Sequence, residues 1–166
     1  MGYTCTICGR FHEEEMRDVR AGLPEPIFAL PEDERAKRAV ISPSGDFATL
    51  DGEHHFVRAL LEVPIPAEDD VFGWGVWVRV SEADIEDLVT RWVDEESLGH
   101  CYPGRLATHL QAYGATLDLT GILTLRSVDR LPTFELDDAE HSLALEQHDG
   151  ISLERARELA EPYYQA

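Results

Sequence analysis

The stretch "FATLDGEHHFVRALLEVPI", residues 47–65, decides how the rest of the chain is read. From 55 to 63 its odd positions are His55, Val57, Ala59, Leu61 and Val63, a mainly apolar set. Side chains alternate faces along a strand, so this period of two predicts one strand with its odd face on a core. The opposite face carries His54, Arg58 and Glu62, with Phe56 and Leu60 between them. That face is expected to be solvated, with Arg58 paired to a neighbouring acid. A rise of ~3.3 Å per residue puts His54 and Glu62 ~26 Å apart, too far for a compact dyad.

Outward from this strand, "PAEDD" (66–70) reads as a turn and "VFGWGVWVRV" (71–80) as a second strand. Neighbouring strands usually pair, so a hairpin is expected. "SEADIEDLVTRWVDEE" (81–96) reads as a helix, with Ser81 and Asp84 at its cap and Ile85, Leu88, Val89 and Trp92 along one apolar stripe. Residues 97–104 read as a loop, 116–128 and 132–136 as strands, and 137–147 and 152–164 as helices. On the N-terminal side, "PEDERAKRA" (31–39) reads as a short helix, while 13–31 is irregular and punctuated by Gly22, Pro24, Pro26 and Pro31. The expectation is a single α+β domain over 1–166 with a mostly antiparallel sheet and flanking helices. Its sheet region is 47–136, with the helix at 81–96 inside it and C-terminal helices in 137–164. Trp74, Trp77 and Trp92 are read as packing residues.

Charge narrows the function. The chain has 33 acidic and 14 Lys and Arg residues, a formal net charge of −19. A phosphate-neutralising surface is hard to build from that balance, and an anionic membrane would repel it. The balance reads first as a well-solvated acidic surface and second as a face for a basic protein partner, with no direct nucleic-acid or membrane binding expected. No apolar run is long enough to span a bilayer and no secretory signal opens the chain, so a cytoplasmic location is expected. Three cysteines without a secretory signal argue against a disulfide framework.

The remaining chemical signal is "YTCTICGRFH", residues 3–12. Cys5 and Cys8 have the spacing that lets two thiolates converge on one metal, and Gly9 relaxes the turn that follows. His12 is close enough to be a third ligand, making residues 1–12 a zinc-knuckle-like segment. Structural zinc takes four ligands, and His54, His55, His100 and Cys101 are the candidates for the last position. A redox pair is disfavoured because no strand precedes the motif, and inert buried thiols are the plain alternative. The chain contains no phosphate-binding glycine loop, no His-Glu-x-x-His helix and no nucleophile elbow.

The segments "CTICGRFH", "ALPEDERAKR", "DGEHHFVRALLEVPI", "FGWGVWVRVSE" and "HSLALEQHDGISLERARELAE" occur in this order over most of the chain. In them the chain resembles a bacterial family, domain of unknown function 2199. The resemblance implies a pattern at Cys5, Cys8, Gly9, His12, Asp51, His54, Arg58, Glu62, Trp74, Gly75 and Trp77. It does not include Cys101, which moves the expected fourth ligand to His54, and it carries no activity. The leading expectation is a non-enzymatic interaction domain with a structural zinc on Cys5, Cys8, His12 and His54. A second reading is a metal-dependent hydrolase-like enzyme, with an open metal position near His54 and Glu62 or Asp51 as base. A third is an immunity-type inhibitor of a basic partner.

Overall fold

Two long strands carry the architecture: β6 (His54–Ile65) and β7 (Asp70–Val80), an antiparallel hairpin paired from His55↔Val80 to Ile65↔Asp70. A 3-10 turn over Pro66–Glu68 joins them, ended by Asp69 in the left-handed region. The computed structural model describes residues 2–4, 10–12, 15–127 and 129–164, His12 by its backbone only. Within it, β8 (Cys101–Leu106), β9 (Thr120–Thr124) and β10 (Thr133–Leu136) continue the antiparallel order from β7.

β10 then returns to β6, so the five strands close into a barrel. An up-and-down path with an odd number of strands leaves its first and last strands running the same way. The closing seam is accordingly parallel, through Thr133↔Leu60 and a bond from the Leu60 amide to the Pro132 carbonyl of 2.9 Å. The chain is therefore α+β as expected, but its sheet is closed, which the strand pattern did not disclose.

The odd face of β6 fills the barrel: Val57, Ala59, Leu61 and Val63 are fully buried with Phe72, Trp74 and Val76 from β7. Leu123 and Phe134 enter the same core from β9 and β10. Gly104 and Gly121 face each other across β8 and β9, and their missing side chains leave room for the Phe134 ring. Leu88 of α3 (Glu82–Trp92), Leu143 of α4 (Ser142–Asp149) and Leu159 of α5 (Leu153–Ala160) complete this core.

Both long strands fork along their outer edges. Near the hairpin turn β7 pairs in parallel with β3 (Asp18–Arg20), and further along with β8. β6 pairs near its start with β5 (Phe47–Leu50), which leads to β4 (Ala39–Ile41), and later with β10. Gly75 permits the approach of β3, since a Cβ there would stand 3.2 Å from the Arg20 Cα.

The other face of β6 departs from expectation. Phe56 and Trp77 are each only 1% exposed, packed with Ala48, Leu50, Ala107 and Ile27 of α1 (Glu25–Phe28) in a second core. Arg58 is 8% exposed, and no acid is its ion-pair partner among the described residues. Its guanidinium lies 4.7 Å from the Trp77 ring and donates to the carbonyls of Gly45, Ala21 and Gly22. Desolvation, followed by the nearby Arg20, lowers its pKa from the usual arginine value.

Local signals set several boundaries. α2 (Glu32–Arg38) has acids in its first turn and bases in its last, matching the helix dipole. The Ser81 hydroxyl caps α3 by accepting from the Asp84 amide at 3.1 Å. This helix stops at Trp92 rather than 96 because the Asp94 carboxylate accepts from the Glu96 amide and starts a 3-10 turn. Val89 of the expected stripe is exposed. α4 starts at 142 rather than 137, where His141 Nδ1 caps the Leu143 amide. β8 falls where a loop was expected, its strand character masked by Pro103 and Gly104.

Candidate functional site

The N-terminal signal is framed by β1 (Tyr3–Thr4) and β2 (Phe11–His12), an antiparallel pair with Tyr3↔His12 and Thr4↔Phe11. Cys5, Cys8 and Gly9, and with them the expected knuckle, lie outside the described residues, as does the His12 side chain. The frame is tied to α5. Arg157 stacks on the Tyr3 ring at 4.2 Å and bonds Glu15, and the Met16 amide donates to the Tyr164 hydroxyl at 2.7 Å. Arg157 and Arg17 hold the Glu15 carboxyl below its usual range against the opposing effect of desolvation.

His54 opens β6. β3, which follows this frame, lies against Gly73–Gly75 of β7, and Tyr163 packs on Trp74 at 6.0 Å. His55, the next residue after His54, pairs with Val80, six residues further along β7, or roughly 20 Å. The Arg79 guanidinium donates to His54 Nδ1 at 2.5 Å, which leaves the ring proton on Nε2. His55 turns to the inner face, and its Nε2 is buried without a hydrogen-bond partner among the described residues.

The other expected groups do not converge with His54. Asp51, at φ 55°, binds the Arg38 guanidinium through both oxygens at 2.8 Å, and that bonding holds its carboxyl below the usual range. Glu62, at the far end of β6, lies 3.6 Å from Arg126. His100 lies 3.7 Å from Asp87, and Cys101 is exposed with its Sγ near the Gly99 carbonyl. The Tyr102 hydroxyl donates to Asp87 at 2.6 Å, which lowers the Asp87 pKa; burial, then this bond, raises that of Tyr102. Among the described residues no three His, Cys, Asp or Glu side chains are grouped to hold a metal.

What the fold assembles instead is an open groove of about 810 Å³ on the outer wall of the barrel. The first turn of α3 and the outward side chains of β8 and β9 form its walls. Five carboxylates line it: Glu53, Glu82, Asp84, Asp118 and Asp137. Against them stand Arg79 and Arg105, which face each other across the β7–β8 pairing. Asp118 adopts φ 65°, and Asp137 accepts from the Thr120 hydroxyl. Sequence reading passed over Arg79 and Arg105 because only the β7–β8 register brings them together.

Barrel, forked hairpin and covering helices together define an α+β barrel protein with an acid-lined external groove. By the match of residues 4–151 to its model, the chain belongs to the family described as an uncharacterized protein conserved in bacteria, DUF2199. No curated protein and no solved structure matches the chain. No helix among the described residues is long and apolar enough to cross a membrane.

Proposed function

We propose that this protein is a non-enzymatic binding domain whose outer groove receives a positively charged segment of a partner protein. The observation that carries the reading is the groove's five carboxylates against two arginines, on a chain of net charge −19. Such a surface draws a basic partner by its long-range field and selects it by contacts at the rim. The barrel interior is filled by side chains, so recognition falls to the outer wall.

The test is a fluorescein-labelled peptide of alternating arginine and glycine. Its affinity is compared for Glu82→Gln/Asp84→Asn/Asp118→Asn in the groove and for Glu32→Gln/Asp33→Asn/Glu34→Gln on α2. Both variants remove the same charge. Three exposed ion pairs are worth about ten-fold in affinity, and this loss is expected in the groove variant alone. Equal weakening by the two variants overturns the reading.

We further propose that zinc on Cys5, Cys8 and His12 ties down the N-terminal segment. β1 and β2, held side by side around this motif and anchored on α5, support that role. A zinc bound by such ligands would contribute folding energy directly. Untagged protein is expected to carry near-stoichiometric zinc, lost in Cys5→Ser and His12→Ala. His54→Ala is expected to retain it, because the Arg79 guanidinium occupies its Nδ1. Metal-free wild-type protein, purified reduced, refutes the tie.

A further inference from the structure

Acids outnumber Lys and Arg by 33 to 14 in this chain, so two arginines that share an acid-lined groove without pairing to its carboxylates call for a reason. Arg17, Arg38, Arg91, Arg126, Arg155 and Arg157 all have an acid within ion-pair distance. Arg79 and Arg105, like Arg20, Arg35, Arg58 and Arg130, have none among the described residues, but they alone stand in a groove lined by five carboxylates. They are direct cross-strand partners, and like charges in that position destabilise a sheet. The Arg79 guanidinium bonds His54 Nδ1 and none of the groove carboxylates. The groove thus combines a cross-strand arginine pair with five carboxylates.

We propose that Arg79 and Arg105 together bind a carboxylate, and that the segment entering the groove ends in a free C-terminal carboxylate beside basic residues. This rests on the basic-segment reading above and adds the end group. A guanidinium matches the two oxygens of a carboxylate with parallel N–H donors, and bound charge would relieve the repulsion between the two arginines. The groove carboxylates would then meet the basic side chains that precede the terminus.

The peptide Gly-Arg-Gly-Arg-Gly-Arg, prepared as free acid and as C-terminal amide, tests this by the sign of one difference. The amide carries the higher positive charge, so the overall field of an acidic protein favours the amide. The arginine pair favours the acid, by about ten-fold for one charge-assisted bidentate contact. Wild-type protein is therefore expected to bind the acid more tightly. Arg105→Gln and Arg79→Gln, both exposed positions, are expected to reverse the order without lowering the thermal midpoint. Equal binding, or amide preference in wild type, overturns the proposal, as does acid preference that survives both substitutions.

A second arm separates this proposal from the one beneath it. N-acetylarginine and its amide are titrated while the Nε–H resonances of Arg79 and Arg105 are followed by NMR. Shifts with the acid alone, in protein that binds neither peptide, uphold the carboxylate site and overturn the basic-segment reading. Absence of any shift overturns the carboxylate site, whatever the peptides do.

Discussion

Replacing Gly121 by alanine is the sharpest test of how the barrel closes. A Cβ built there stands 2.4 Å from the Glu135 carbonyl oxygen and 2.8 Å from the Phe134 ring. An ordinary close carbon–oxygen contact is about 3.3 Å, so β10 would have to retreat by about 0.9 Å. The obstructing oxygen is backbone and cannot rotate away, and β10 is the strand that closes the barrel on Leu60. Overpacking of this kind costs about 1–3 kcal/mol, against a gain of at most about 1 kcal/mol from restricting the unfolded chain. We expect a net loss of about 1 kcal/mol, or roughly 3 °C in thermal midpoint for a chain this long. Urea denaturation followed by tryptophan fluorescence measures it, with Gly22→Ala as control because nothing lies within 4 Å of its Cβ. Phe134→Leu in the same chain relieves the ring contact only, so it should not restore stability. If Gly121→Ala and Gly22→Ala are equally stable, the tight closure argued above is wrong.

Three further outcomes follow from the packing and charge. Ile27→Ala, fully buried in the second core, is expected to cost about 2–5 kcal/mol by denaturation; a loss below about 1 kcal/mol would mean that core is loosely formed. Arg58→Lys loses the planar stack on Trp77 and part of the carbonyl fork, and is expected to cost about 1–2 kcal/mol. A lysine variant as stable as wild type would show that only charge is needed there. Asp87 and Asp51 have folded pKa values below their unfolded ones, so the stability they lend is complete above about pH 4 and is lost as pH falls through the folded values. Urea midpoints at pH 6 and pH 3 should therefore converge more closely in Asp51→Asn/Asp87→Asn than in wild type, and an unchanged gap would exclude these two carboxylates as the source.

The long hairpin was legible because β6 alternates over ten residues, an apolar run follows at 71–80, and a polar turn separates the two. α3 was legible from its cap. β3 was not, since three residues paired in parallel with a distant strand leave no local pattern. Barrel closure rests on the Leu60–Thr133 seam, which no periodicity can announce. The covered outer face of β6 was misread for a related reason: Ile27 and Ala107, which cover it, come from short segments with no amphipathic repeat. At the site, the divergence of His54 and Glu62 followed from strand rise alone. The guanidinium on His54 and the Arg79–Arg105 confrontation depend on side-chain reach and strand register, which spacing does not encode.

The parallel seam also imposes an order on synthesis. Leu60 leaves the ribosome more than seventy residues before its partner Thr133, so the latter half of β6 waits with an open edge while β7, β8 and β9 are made. Non-local pairing of this kind slows folding, and an unpaired apolar edge invites association with other chains. Ribosome-bound chains halted shortly before Thr133 should accordingly be prone to aggregate, while those that have released Leu136 should resist protease.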